Sequence, residues 1–342
     1  MTIWLLSYTA RGRALAARVA DILKSEGHGC RTFALPKFAQ EGDETLTLSA
    51  SDWAGQGFEQ ADALVFCCAS GIAVRAVAPH VRDKRRDPAV LVLDEGGTFV
   101  IPLLSGHLGG ANALAVALAG RLSATPVLTT ATDVNGLFAV DVFAKENGLF
   151  IEDMALCKAV SAALLAGEPV GFRADLPVTG PLPKGLTAEA ADLGIYVSTA
   201  NDRPFPRTLR LIPRRYTAGL GCRRGKSEEE LESFLMANLN SCGVGLPELK
   251  ALASIDIKRD EPGLVALGEK LGLPFITYSA EELKAAPGEF TPSAFVQEVT
   301  GVDSVCERAA VLSSGGELVV RKVAENGMTF ALAKKEEAIR FE

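Results

Sequence analysis

The strongest constraint on this chain comes from short, unbroken apolar runs, each followed by a turn and a helical pattern. Residues 2–8 (TIWLLSY), 62–69 (DALVFCCA) and 88–94 (PAVLVLD) show no polar alternation. Runs of that length suit strands covered on both faces, the habit of parallel sheets. A helical pattern, ARGRALAARVADILKSEG, joins the first run to a second strand candidate, CRTFALP, and SGIAVRAVAPH follows DALVFCCA as a turn and helix. The segment 39–58 is polar and reads as a loop with a short helix. EGG separates PAVLVLD from TFVIPLL, which predicts a hairpin, and PVLTTAT (126–132) predicts one more strand. Strands alternating with helices make this an α/β protein with mostly parallel sheets.

The pattern then changes. Residues 135–215 carry one clear helix near 153–166, short strand candidates VGFR, GIYVS and LRLIP, and dense prolines from 169 to 213. A new α/β pattern begins at YTAGLG, expected to be a strand running into a glycine turn. SEEELESFLMANLNSCG follows as a helix whose Ser227 and Glu230 have capping-box spacing. Strand ASIDIK, helix GLVALGEKLG, strand PFITYS, two further helical segments and a hairpin ELVVRKV/MTFALAK complete it. The expected organisation is an N-terminal α/β domain (1–134), a smaller middle module (135–215) and a C-terminal α/β domain (216–342). A length of 342 residues accommodates two or three domains.

Composition narrows the function class. A net charge of −7 argues against general nucleic-acid binding, which needs a basic face. No apolar run reaches the ~18–20 residues that span a bilayer, and the N-terminus lacks the pattern of a secretion signal. Seven cysteines, without CxxC spacing, give neither a disulfide framework nor a metal site. A soluble protein of the reducing cytoplasm is expected, with no partner among nucleic acids or membranes.

Three segments share one design, in which a buried strand ends, small residues turn the chain and a helix starts: 67–77 (CCASGIAVRAV), 103–115 (LLSGHLGGANALA) and 218–230 (AGLGCRRGKSEEE). Helix N-termini present free N–H groups to anions or developing oxyanions, and strand ends of open sheets line ligand crevices. His107 stands in the second loop among Ser105, Gly106, Gly109 and Gly110, with Asn112 a turn further on. An ordinary imidazole titrates near ~6.5 and moves protons at cellular pH. Asp133, in TTATDVNG, is placed to orient that histidine or to act as a base itself. Equally, glycines serve tight turns, a histidine can cap, and Asp133 can close an Asx turn. His28 and His80 carry no assigned role.

Positive charge gathers at Arg203, Arg207, Arg210, Arg214, Arg215, Arg223, Arg224 and Lys226. Guanidinium groups bind carboxylates in pairs of hydrogen bonds, so the cluster suits a polycarboxylate, although a solvated connector explains part of it. GLGCRRG also approaches a dinucleotide fingerprint, with the wrong glycine spacing. Cys222 at a helix start is conceivable as a nucleophile, but no histidine neighbours it in sequence.

With these motifs in view, the chain resembles the cobalt-precorrin-5A hydrolase family of anaerobic cobalamin biosynthesis. The resemblance runs in order through SGIAVRAVAP, DPAVLVLDEGGTFVIPLLSGHLGGANALA, PVLTTATD, VDVFAKENGLFIEDM, KAVSAALLAGEPVGF, AGLGCRRG, LASIDIKRDEPGL, LPFITYSAEEL and SVCERAA to the TFALAKK ending. It implies opening of a ring A lactone on a carboxylate-rich cobalt macrocycle, with loss of acetaldehyde to give cobalt-precorrin-5B. No cofactor is implied, since the cobalt arrives in the substrate.

Placed on the matched motifs, this chemistry makes His107 general base or proton shuttle, Asp133 its partner, and the Gly109 and Gly110 amides oxyanion donors. Arg75, Arg223, Arg224 and Lys226 are expected to anchor carboxylates. Gly71, Ser105, Gly106, Asn112, Gly219, Gly221 and Cys222 complete the expected substrate-binding set, in a cleft shared by the terminal domains. A homodimer and contacts with other cobalamin-pathway enzymes stay open. Two other classes compete: a corrinoid carrier without catalysis, and a nucleotide-dependent enzyme using GLGCRRG as a phosphate loop.

Overall fold

The structure, a computed structural model, describes residues 1–83 and 86–341. Among them the chain forms two compact units, Met1–Val142 and Phe143–Glu342.

The first unit is built on a seven-stranded sheet of β1 (Thr2–Ser7), β2 (Gly29–Ala34), β3 (Asp43–Thr45), β4 (Ala63–Cys67), β5 (Ala89–Leu93), β6 (Phe99–Leu104) and β7 (Thr125–Pro126), in the order β3-β2-β1-β4-β5-β6-β7. β1 to β5 are parallel; β6 runs antiparallel to β5, as the EGG hairpin predicts. Alternation along β1 shows why the apolar run is unbroken. Ile3 and Leu5 join one core beneath α1 (Ala10–Ser25) and α4 (Ala111–Leu122). Trp4 and Leu6 join a second core with Trp53 and Phe66, beneath α2 (Ala50–Gln60) and α3 (Ser70–Val77). Burying each such side chain contributes ~1.5–3 kcal/mol, so both faces select mainly apolar residues. Thr9 starts α1 by accepting the Gly12 amide at 3.0 Å.

One expected strand is much shorter than its sequence suggests. Of 126–132 only Pro126 lies in β7; Thr130 begins a short helix, α5 (Ala131–Val134). β7 is an edge strand, Pro126 has no amide to extend the ladder, and the chain leaves after Val127 bonds Val100. α6 (Val140–Glu146) follows.

The second unit holds two main sheets. The first contains β8 (Leu149–Ile151), β9 (Val170–Ala174), β11 (Leu186–Thr187), β12 (Leu193–Val197) and β13 (Arg207–Pro213), ordered β11-β9-β12-β13-β8; β10 (Val178–Thr179) lies outside it. Only β8 is antiparallel to its neighbour. α7 (Met154–Leu165) starts at Asp153, whose carboxylate accepts the Ala155 and Leu156 amides. The second main sheet contains β14 (Tyr216–Cys222), β15 (Leu249–Ile255), β16 (Phe275–Tyr278), β17 (Glu317–Glu325) and β18 (Met328–Lys334), ordered β16-β15-β14-β18-β17. The terminal β19 (Ile339–Arg340) pairs with β10.

One face of this last sheet packs Ala218, Leu220 and Leu252 under α8 (Glu228–Ser241) and α9 (Pro262–Leu271). Ser227 and Glu230 complete the expected capping box. Three helices, rather than two, follow β16: α10 (Ala280–Lys284), α11 (Ala294–Thr300) and α12 (Val305–Ser314). The expected glycine turn after YTAGLG is also corrected, because Gly219 and Gly221 lie inside β14. α12 packs so closely that a Cβ on Gly219 would stand 1.8 Å from the Cys306 carbonyl oxygen. That glycine serves helix–sheet approach, not a turn.

Candidate active site

β6 delivers the chain into the SGHLGG loop and α4 takes it away. Ser105 has a left-handed backbone, φ 57°, and its buried hydroxyl donates to the Asp87 carbonyl at 2.9 Å. The Gly110 amide donates to the His107 carbonyl at 3.0 Å, and the Ala111 and Asn112 amides donate to Ser105 and Gly106 carbonyls at 3.2 and 2.9 Å. The loop therefore caps α4 with its own carbonyls. Gly110 reaches φ 88° to do this. Gly109 presses on Ser105, where an added Cβ would come 2.3 Å from the serine Cβ, and Gly106 abuts the Asn112 amide. The Gly110 amide, expected as an oxyanion donor, is thus already engaged.

The loop aims His107 at two carboxylates. Its Nε2 lies 2.8 Å from Asp133 Oδ2, on α5, and its Nδ1 lies 3.4 Å from Asp141 Oδ1, in the first turn of α6. Asn112 Nδ2 donates to Asp133 Oδ2 at 3.0 Å and to Thr130 Oγ1 at 2.7 Å; the Thr132 hydroxyl stands 3.3 Å from His107 Nε2. The side chains of His107, Asp133 and Asp141 remain 15%, 27% and 11% exposed, so the cluster is sheltered without being sealed.

This arrangement sets the charge. Hydrogen bonding to Asp141 above all, with Asp133 adding to it against partial burial, lifts His107 from 6.5 to about 9. The distances rank the two acids the other way, since 3.4 Å exceeds an ordinary N–H···O bond. We weigh them as comparable. Burial alone would raise Asp133, but bonds from His107, Thr130 and Asn112 hold it below the usual carboxylate range. Both nitrogens face acids, which favours imidazolium beside carboxylate at neutral pH; this disfavours His107 as general base and leaves its other expected role, proton shuttle. Sequence reasoning paired His107 with Asp133 and missed Asp141, along with Thr130 and Thr132. VDVFAKE offers no local signal, because the contact is made across 34 residues of chain.

Other expected site residues lie elsewhere. Gly71 and Arg75 are exposed on α3, where Arg75 Nη1 donates to the Gly71 carbonyl at 3.0 Å. In the second unit, Gly221 faces Thr329, whose Oγ1 would stand 2.5 Å from an added Cβ. Cys222 is half-buried and its thiol is pushed up by that burial, which disfavours a nucleophilic thiolate. The Arg223 amide donates to the Gly327 carbonyl, and the Gly225 amide to Glu261 at 2.9 Å. With Gly219 and Gly221 spent on packing inside β14, and the Gly225 amide engaged by Glu261, the phosphate-loop reading is not supported. Lys226 pairs with Glu230 at 2.6 Å, whereas Arg223 and Arg224 are exposed and make no salt bridge among the described residues. The wider basic run is partly consumed by structure: Arg203 and Arg210 hold Glu152, and Arg215 holds Glu336.

Three family models match successive stretches from residue 52 onward: Cobalamin synthesis G N-terminal over residues 52–133, Cobalamin biosynthesis central region over 138–213 and Cobalamin synthesis G C-terminus over 216–333. The chain is 38% identical to the cobalt-precorrin-5A hydrolase of Salmonella typhimurium over 346 residues, covering 97% of each protein. It is 34% identical to the cobalt-precorrin-5A hydrolase of Priestia megaterium, across 80% of this chain and 79% of that one. A crystallised cobalamin biosynthesis protein G homolog from Sulfolobus solfataricus aligns with 98% of this chain and 97% of its own, at 22% identity and a TM-score of 0.45. By sequence, this chain belongs to the cobalamin synthesis G family, the family of the cobalt-precorrin-5A hydrolases.

Proposed function

We propose that the chain hydrolyses cobalt-precorrin-5A, opening its ring A lactone and releasing acetaldehyde to give cobalt-precorrin-5B. One observation carries the assignment of residues: an imidazolium and a carboxylate stand side by side, partly open to solvent, on a loop fixed by its own hydrogen bonds.

Two steps consume one water. Water oxygen bonds to the lactone carbonyl carbon and the acyl–oxygen bond breaks, leaving a ring A acetate and a hydroxyl on C20. That hydroxyl then loses its proton and the bond from C20 to the ring breaks. The electron pair stays with the macrocycle, and C20 leaves with its methyl as acetaldehyde. Asp133 is the group that takes the water proton. Protonated His107, held between Asp133 and Asp141, places positive charge beside the oxygen on which negative charge develops. Arg75, exposed in the same unit as His107, is available for a carboxylate arm.

The cobalt belongs to the substrate, and we assign the protein no cofactor of its own. No helix among the described residues is long and apolar enough to cross a membrane. We assign the enzyme to the cytoplasm, a reading its seven thiols support, where it acts on a small tetrapyrrole. The test is acetaldehyde release from cobalt-precorrin-5A by the wild type, His107→Ala and Asp133→Asn. Each variant should lose ~10²-fold or more, the usual contribution of a positioned acid or base. Full release by both variants would remove this pair from the mechanism. Tight corrinoid binding with no acetaldehyde from the wild type would make the chain a carrier.

A further inference from the structure

The second unit contains a cavity where the chain passes from β13 to β14. It is small and partly open to solvent, with about 20 Å³ of room for the centre of a water-sized sphere, and is lined by Arg214, Arg215, Lys250, Lys335 and Glu337 among others. Its one lining acid among the described residues, Glu337, is already paired with Lys335. Arg215 spends Nη1 on Glu336 at 2.7 Å, but its Nη2 is buried without an acceptor.

Arg214 is the less usual group. Its guanidinium lies over the Phe150 ring, 5.2 Å from the centroid. It makes no ion pair among the described residues, and its Nε is buried and unsatisfied. Burial depresses the Arg214 pKa, with no acid offsetting the effect. Even partial withdrawal of a cation from water is unfavourable without a partner, and buried charges are ordinarily paired. Here two guanidinium groups have unused buried nitrogens beside one cavity, and the ammonium of Lys250 lines the same space without a salt bridge among the described residues.

We propose that this cavity binds a single oxyanion group, a carboxylate or a phosphate, held by Arg214 and Arg215 with Lys250 in support. Planar guanidinium groups match the geometry of such anions. The space is far too small for a macrocycle, so the group is either a small free ion or the tip of one arm of a larger ligand. The proposal does not depend on the acetaldehyde-releasing activity.

The test is thermal unfolding of the full chain at constant ionic strength. Sodium phosphate is exchanged for sodium chloride in one series, and uroporphyrin, a polycarboxylic macrocycle, is added in another. Millimolar phosphate should raise the wild-type melting temperature by about 3 °C if the ion is free. A shift with uroporphyrin alone identifies a carboxylate arm instead. Arg214→Met keeps the stem and removes the unpaired charge. It should melt no lower than the wild type in chloride and lose the ligand response. Lys250→Met, at an exposed position, keeps the test decisive if Arg214→Met fails to fold; it should weaken the response about tenfold in ligand concentration. The proposal is overturned if neither ligand shifts the wild type, or if the folded variants respond as the wild type does.

Discussion

Asp141→Asn is the sharpest probe of the histidine cluster, because it deletes a charge and keeps the shape. The rise of His107 from 6.5 to about 9 corresponds to at most ~3–4 kcal/mol, at ~1.36 kcal/mol per pH unit. Partial exposure of the three side chains screens the charges and trims that figure. With the rise shared between two acids, losing Asp141 should lower the His107 midpoint by roughly 1 unit, to about 8. Asp133→Asn should do much the same.

The chain has only three histidines, so a two-dimensional NMR titration of imidazole C–H signals resolves them, and His107→Gln identifies its resonance by deletion. The sign for stability follows from the raised folded value. The cluster's contribution is fully present below pH 6.5 and is lost as pH rises through about 9. The stability gap between wild type and His107→Gln should therefore be widest in mild acid and close in alkali. Acetaldehyde release should fall on the same alkaline limb as the imidazolium loses its proton. A wild-type midpoint near the ordinary 6.5, or one unmoved by Asp141→Asn, refutes the reasoning.

Two further substitutions test the packing. Gly219→Ala drives a methyl into the Cys306 carbonyl oxygen and should cost ~3 kcal/mol or more, read as an earlier midpoint in urea unfolding; a neutral result would show that α12 can move away. Glu307 is fully buried, yet bonds from Lys322, Thr291 and Ser304 overcome its desolvation and hold its pKa down. Glu307→Gln should cost ~2 kcal/mol at neutral pH. Because the folded pKa is depressed, this stabilisation is present above the usual glutamate value and is lost as pH falls through the lower folded one, so the wild type and variant should converge in acid.

Much of the scaffold was legible because β1, β4 and β5 are buried on both faces and could not be written in any but apolar letters. The pairing of His107 with Asp133 was legible for a related reason, since both follow strands of one sheet. Asp141 was not, because it approaches Nδ1 from a helix of ordinary composition. Gly219 and Gly221 misled because a glycine that admits a neighbouring backbone or side chain looks the same in sequence as one that turns the chain. The basic run misled in part for want of its counter-charges: Glu152 and Glu336 lie 51 and 121 residues from Arg203 and Arg215.

The self-capped SGHLGG loop has a thermodynamic consequence for any guest. Immobilising a backbone residue costs ~1–2 kcal/mol, so a six-residue loop that became ordered only on contact would subtract ~6–12 kcal/mol from affinity. Here that loss of freedom is absorbed during folding, by the bonds that Ser105, Gly106 and His107 carbonyls accept. A guest at this loop would meet a finished mould, with no cost of ordering the loop subtracted from its affinity.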